Sequence, residues 1–177
     1  MKQLFPNRLL TGFTLIEALV AITILVTGLT GVVSLAAFSL HNTSSLRQKT
    51  IAANLAHEGV ELLRNVRDNN VHASAVWDSG FCSSGYPCER QIACNPSDCS
   101  NPPGPVIQLQ PYTGNPLRFH SATGFYTYQA GTDTEYRRRV SLEQISANEV
   151  RYTVTVTWPG GTVTLTGFLM DWRPPPF

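Results

Sequence analysis

One carboxylate, that of Glu17, lies in a run that contains no other charged side chain between Gly12 and Leu40. Inserting an ionised carboxylate into a lipid bilayer costs about 2.5 to 3.5 kcal/mol on insertion scales, so such a group needs a cationic partner. The neighbouring residues supply none. A cut between Gly12 and Phe13 would create an α-amino group and make Glu17 the fifth residue of the shortened chain. Pairing of this acid with the amine of a neighbouring subunit is the chemistry of assembly.

The cysteines are the second group of residues that could do chemistry. They fall in a segment rich in glycine, proline and asparagine, at Cys82, Cys88, Cys94 and Cys99. Their spacing, C-x5-C-x5-C-x4-C, lacks the C-x2-C pairs of common zinc sites. Because such a segment buries little apolar surface, covalent cross-links are an effective way to order it. In an oxidising compartment we expect two disulfides and no metal site, with all three pairings open.

No other constellation indicates catalysis or cofactor binding. The histidines fall at unrelated positions: His41, His57, His72 and His120. The serines lack a nucleophile elbow, and Gly160-Gly161 is predicted to be a turn without a phosphate-binding pattern. Glu58 and Glu61 are expected on a solvated helix face, and Arg137–Arg139 on a solvated strand face. The chain is therefore predicted to be no enzyme and to need no cofactor. Its formal net charge of +1 does not indicate the usual basic nucleic-acid surface, so no nucleic-acid partner is assigned.

The apolar run is long enough to position Glu17 in a membrane. Residues 13–40 exceed the ~20 residues that a helix needs to span a bilayer. Lys2 and Arg8 precede the run, which predicts a cytoplasmic N-terminus and an outward-facing remainder. Ordinary signal peptides are cut after their apolar segment, whereas a cut at Gly12 precedes it and retains it. We therefore predict a leader at 1–12 and a transmembrane helix at 13–40. A plain uncleaved anchor is the alternative, and it leaves Glu17 unexplained.

The same helix is predicted to continue beyond the membrane as an amphipathic half at 41–70. No proline interrupts the chain from Phe13 to Tyr86. Apolar and small residues recur at spacings of three and four, as in Ile51, Leu55, Gly59, Leu62 and Val66. This apolar stripe is widened by Ala52, Ala56 and Leu63. Arg64 is placed to pair with Glu61 and with Asp68 at i,i+3 and i,i+4.

The remaining chain is predicted to be a cysteine-rich loop region at 71–123 followed by an antiparallel β head at 124–177. The alternation of apolar and polar residues predicts three strands, at Glu135–Ile145, Glu149–Trp158 and Thr162–Trp172. A weaker fourth strand is expected at Phe119–Gln129, and Pro159-Gly160-Gly161 supplies a hairpin turn. Packing of this sheet on the amphipathic half of the helix gives an α+β fold.

The segment Gly12-Phe13-Thr14-Leu15-Ile16-Glu17 resembles the processing and assembly signature of type IV prepilins and of type II secretion pseudopilins. The continuation Glu17-Ala18-Leu19-Val20-Ala21 and the helical stretch 52–70 resemble the PilV-like minor pilins, the type IV pilus modification proteins. The resemblance covers about the first 70 residues. It implies a type IV pilin-like fold, in which a long N-terminal helix packs on the antiparallel sheet.

The resemblance also implies a function and a set of partners. A prepilin peptidase would cut after Gly12 and methylate the amine of Phe13, and Glu17 would then pair with a neighbour's amine. The chain would enter a type IV pilus as a minor pilin that contributes to assembly or surface interaction. Its partners would be other pilin subunits, the peptidase, the pilus assembly machinery and the inner membrane, before it reaches the cell surface.

Two alternatives remain open at this point. A secretion pseudopilin would be processed and assembled in the same way, but its filament stays within the cell envelope. A membrane-anchored extracellular binding module or adhesin would instead use the loop region between Cys82 and Cys99 to hold a ligand. In that protein neither the cut at Gly12 nor the charge of Glu17 would matter.

Overall fold

The computed structural model describes residues 12–94 and 107–173, with the backbone alone at His41 and Gln108. These residues form two compact units that divide after Ser44. Helix α1 spans Leu15–His72, and the strands are β1 Cys88–Ala93, β2 Gln108–Pro111, β3 Arg118–His120, β4 Phe125–Thr127, β5 Thr132–Asp133, β6 Arg137–Ser146, β7 Glu149–Trp158 and β8 Gly161–Met170. The expected α+β fold is therefore present, with a long N-terminal helix and antiparallel sheets.

In the first unit, α1 is apolar on every side. Every described side chain from 12 to 44 is exposed, and the most apolar 18-residue window of the helix has a mean hydropathy of 2.3. The hydroxyls of Thr23 and Thr27 bond to carbonyl oxygens one turn earlier, at 2.8 Å each, so these polar groups are satisfied within the helix itself. A helix in lipid has this requirement. Within the described residues, α1 is the helix long and apolar enough to cross a bilayer.

In the second unit, α1 packs one face against the larger sheet. The buried helix residues are Ala52, Leu55, Ala56, Gly59, Val60 and Leu63. All of these except Val60 belong to the predicted stripe, whose other members Ile51, Leu62 and Val66 are half-buried. Of the two predicted ion pairs, Arg64–Glu61 forms at 2.7 Å, whereas Asp68 pairs with Arg67 at 2.8 Å.

The larger sheet has the strand order β2-β1-β6-β7-β8 and is antiparallel throughout. Strand β7 alternates without interruption, with its inward side chains Val150, Tyr152, Val154, Val156 and Trp158 all buried. Trp158 is opposite Gly161, so the predicted hairpin turn is formed by Pro159 and Gly160. The three predicted strands are present, β7 with its predicted bounds and β6 and β8 shifted by one or two residues.

The segment predicted to be loop, 71–123, contains three strands instead. Strand β1 pairs with β6, with Arg90 opposite Val140, and continues the sheet to β2. The predicted strand Phe119–Gln129 is two short strands, β3 and β4, which form a separate sheet with β5. Pattern analysis missed β1 because two of its buried residues, Arg90 and Gln91, are polar.

Arg138 corrects the prediction that Arg137–Arg139 lies on a solvated strand face. Its side chain is fully buried at 0% exposure, because β-strand alternation turns it inward while its two neighbours face outward. Its Nη1 donates to the carbonyl oxygen of Leu55 at 2.8 Å and to Glu58 Oε2 at 3.2 Å, and Nη2 donates to the carbonyl oxygen of Ile92. One guanidinium thus joins α1, β1 and β6, and Glu58 is its partner rather than a freely solvated acid.

The helix leaves space for this arginine at Gly59. A β-carbon there would lie 3.0 Å from Arg138 Cδ and 3.0 Å from Val154 Cγ1, closer than ordinary van der Waals contact. Glycine in a helix costs about 1 kcal/mol relative to alanine. That cost is offset here, because the close approach of helix and sheet allows Arg138 to reach two backbone carbonyls.

We predict that Arg138→Met lowers the free energy of unfolding of the second unit by about 3 kcal/mol. This is the low end of the range for breaking a buried ion pair, because Glu58 keeps some contact with water. Urea unfolding of the full chain in neutral detergent, followed by fluorescence of the buried Trp77 and Trp158, measures the change. The matched variant Arg137→Met alters an exposed neighbour and should cost at most about 1 kcal/mol. Equal effects of the two variants would contradict the assigned role.

Candidate functional site

The junction between Gly12 and Phe13 lies on non-helical backbone immediately before α1. Both residues are exposed, Phe13 at 77%, and a β-carbon added at Gly12 would meet nothing within 4 Å. A protease needs an accessible segment outside regular structure, since helical backbone cannot enter an active site without unwinding. The predicted cleavage site therefore has suitable local structure.

Thr14 caps the helix directly after this junction. The backbone N–H of Glu17 donates to Thr14 Oγ1 at 3.3 Å, and the N–H of Ala18 donates to the Thr14 carbonyl oxygen at 3.1 Å. A threonine followed three residues later by glutamate is the sequence of a capping box. Because Thr14 follows the predicted cut, removal of the preceding residues would leave this cap in place.

Glu17 lies in the first turn of α1 and is exposed. The N-terminal end of a helix carries a partial positive charge that favours a carboxylate by about 0.3 to 1 kcal/mol. This partial charge lies within the chain itself, although no cationic side chain does. The contribution is smaller than the cost of placing the charge in lipid. Among the described residues no cation forms an ion pair with Glu17, so the carboxylate is available to an external amine.

Large apolar side chains surround this carboxylate. Leu15, Ile16, Leu19 and Val20 are between 53% and 81% exposed. They must be covered by lipid or by other helices, because so much apolar surface is unfavourable in water. An amine that pairs with Glu17 would therefore meet it in a medium of low dielectric constant, where ion pairs are stronger than in water.

The cysteine-rich region contains the disulfide Cys82–Cys88, with 5.9 Å between the Cα atoms. Cys94 is also disulfide-bonded, and the predicted site residue Cys99 lies outside the described residues. Within residues 12–94 and 107–173 no group of histidine, cysteine and carboxylate residues could hold a metal ion. The pairing of Cys82 with Cys88 could not be chosen from the spacing alone.

The loop closed by this disulfide is further tied to its surroundings by Tyr86. Its hydroxyl donates to Asp78 Oδ2 at 2.9 Å. Burial raises the pKa of Tyr86 well above its ordinary value, and the hydrogen bond and negative charge of Asp78 raise this pKa further. The phenol is therefore kept protonated in the folded protein.

The remaining candidates do not converge on one site. His57 and Glu61 are exposed on α1, and His120 Nδ1 lies 2.9 Å from Thr123 Oγ1 at a turn. His72 makes an edge contact with the ring of Trp172, whose indole N–H donates to Asp68. Partial burial opposes the ionisation of Asp68, but its bonds with Arg67 and Trp172 outweigh this effect and lower its pKa.

One potentially functional residue, Arg90, was absent from the sequence analysis. It is buried in β1 between the disulfide loop and the helix-facing core. The only sequence signal was a basic residue two positions after Cys88, which does not distinguish a buried arginine from an exposed one.

Comparison with protein-family models, with curated proteins and with solved structures found no match to this chain. The chemistry of Gly12, Phe13 and Glu17 and the architecture of the second unit therefore carry the functional inference.

We predict that Tyr86 makes the folded state more sensitive to alkali. Its raised pKa means that, above the unfolded tyrosine pKa of about 10, the unfolded state binds fewer protons than the folded state. Its contribution to stability is complete below that pH and is lost as pH rises further. Urea midpoints from pH 8 to 11 should fall less steeply for Tyr86→Phe than for the unmodified chain.

Some alkaline sensitivity should remain in this variant, because burial also raises the pKa of Tyr126, Tyr128 and Tyr136. Asp78→Asn removes the negative charge beside the phenol and should also flatten the decline. Identical slopes for all three proteins would rule out the role given to Tyr86.

Proposed function

We propose that this chain is a prepilin with a type IV pilin-like fold, cut after Gly12 by a prepilin peptidase and incorporated as a minor pilin into a type IV pilus. The observation that carries the proposal is an unpaired carboxylate, Glu17, one helical turn after an accessible Gly12–Phe13 junction and within the otherwise uncharged first part of α1. A plain membrane anchor has no use for that charge.

Cleavage supplies the missing partner. It converts the amide nitrogen of Phe13 into an amine, which is N-methylated and carries the positive charge that Glu17 lacks. The new terminus precedes the Thr14 cap, so α1 keeps its first turn after processing. The chain itself performs no catalytic step in this scheme, since bond cleavage and methyl transfer belong to the peptidase.

Filament assembly then replaces lipid by neighbouring helices around the first unit. The exposed apolar side chains from Leu15 to Leu40 provide the surface for this packing. Gly28 and Gly31 have no atom within 4 Å of an added β-carbon, and small residues of this kind let helices approach closely. The second unit has its own core and is free to face outward for assembly or surface interaction.

We predict that the chain isolated from cells with an active prepilin peptidase begins at N-methylated Phe13. Mass spectrometry of the intact protein from membrane fractions and from sheared surface filaments measures this terminus. Gly12→Ala should reduce removal of the leader, because it adds a side chain at the residue before the cut, whereas a plain membrane anchor would be unaffected. A chain that still begins at Met1 would overturn the prepilin proposal. A processed chain found only in the envelope would favour a secretion pseudopilin.

We further predict that Glu17→Gln reduces incorporation into filaments about tenfold or more, which corresponds to the loss of about 1.4 kcal/mol of pairing energy. The amide keeps the shape of the side chain but removes its charge, so the membrane level should stay the same or rise. Quantitative immunoblots of sheared filaments and of membranes report the two pools. Glu61→Gln, a matched change on the exposed face of α1, should alter neither pool. Normal incorporation of Glu17→Gln is the result that contradicts pairing.

A further inference from the structure

Arg90 is a buried cation without a charged partner. Only 5% of its surface is exposed, in the middle of the sheet strand β1. Its Nε donates to the carbonyl oxygen of Phe81 at 2.8 Å, and its Nη2 donates to Ser83 Oγ at 2.6 Å. Both acceptors are neutral. The positive charge therefore remains uncompensated by any carboxylate of the described residues.

This arrangement sets Arg90 apart from the other arginines that are buried or half-buried. Each of those has a carboxylate within ion-pair distance, in the pairs Arg67–Asp68, Arg118–Asp133, Arg138–Glu58, Arg139–Glu89 and Arg151–Glu143. Removing a charged group from water costs several kcal/mol unless an opposite charge compensates. An arginine held buried and unpaired is thus a candidate for pairing with an anion from outside the chain.

The guanidinium borders a cavity of about 400 Å³. This volume lies within the range of small-molecule sites. The described lining contains amides and hydroxyls, among them Asn70, Ser83 and Gln110, and no carboxylate. A ligand in this cavity would meet one positive charge and several hydrogen-bonding groups, with no negative charge to repel an anion.

The guanidinium of Arg90 has N–H groups that no described residue accepts. A guanidinium has five N–H groups, and two are used by Phe81 and Ser83, which leaves the Nη1 pair and one N–H of Nη2. Among the described residues, Arg138 Nε is the one fully enclosed side-chain nitrogen or oxygen without a hydrogen-bond partner. Nη1 of Arg90, which also has no such partner, is therefore not fully enclosed. The Nη1–Nη2 edge is the fork that binds a carboxylate through two parallel hydrogen bonds.

We infer that this cavity binds a small hydroxylated carboxylate of the sugar-acid class, with Arg90 as the bidentate anchor for its carboxylate. The amide oxygen of Asn70 and the side-chain amide of Gln110 suit the ligand's hydroxyls. The neighbouring disulfide Cys82–Cys88 holds the loop that presents Phe81 and Ser83, so the anchor is positioned before the ligand arrives. The site lies entirely in the second unit and does not depend on the proposed pilin function.

The test uses the full chain in neutral detergent micelles, labelled with ¹⁵N-arginine, and glucuronate as the probe. Glucuronate replaces chloride at constant ionic strength, and the Arg90 Nε–Hε resonance reports binding. We expect a saturable shift with glucuronate and none with glucose, which has the hydroxyls without the carboxylate. Absence of a saturable shift, or an equal shift with glucose, overturns the inference.

Ser83→Asp separates binding from folding. The new carboxylate would lie next to Arg90 Nη2 and form an ion pair with it. Glucuronate affinity should therefore fall about tenfold or more, while thermal stability is maintained or raised. Ser84→Asp adds the same charge at the exposed neighbour, outside the described cavity lining, and should bind normally. Gln110→Glu introduces a negative charge at the cavity without removing a contact of Arg90 and should weaken binding too. Unchanged affinity in both cavity variants contradicts the proposed site.

Discussion

The buried guanidinium of Arg138 is the interaction on which the architecture of the second unit depends. It bonds to α1 through Leu55 and Glu58 and to β1 through Ile92, while its own backbone belongs to β6. A slip of one residue in the register of β6 would turn this side chain to solvent and bring a neighbouring arginine into the core. Helix position, strand register and the placement of β1 are therefore coupled through the hydrogen bonds of one guanidinium.

Glu17 presents the same physical problem with a different solution. Each residue is a charge in apolar surroundings, but Arg138 finds its carboxylate and carbonyls within the chain, whereas Glu17 has only the helix N-terminus and the Thr14 cap nearby. A charge that is satisfied internally stabilises a fold. A charge that is only partly satisfied favours binding of a molecule that supplies the opposite charge. In the proposed assembly, the amine of a neighbouring subunit supplies it.

The sequence predicted the helix and the strands whose apolar residues recur at a regular spacing. Strand β7 was found with its bounds because its apolar residues alternate strictly from Val150 to Trp158, and the long helix was expected because no proline interrupts it. Strand β1 was missed because its buried residues Arg90 and Gln91 are polar, and the hydrogen bonds that bury Arg90 run to Phe81 and Ser83 outside the strand. For the same reason Arg138 was assigned to solvent. Long-range hydrogen bonds decide the burial of polar residues, and local sequence does not record them.

The two units share helix α1 but differ in the burial of their side chains. The core of the second unit begins at Ala52 and is complete within residues 45–173, whereas every described side chain from 12 to 44 is exposed. The second unit therefore has the internal contacts that a folded domain requires, whereas the exposed apolar side chains of the first unit need contacts from outside the chain. The proposed ligand site near Arg90 depends on contacts within the chain. The proposed role of Glu17 depends on contacts with other molecules. The surface chemistry of the second unit can therefore change without disturbing the contacts that assembly would use.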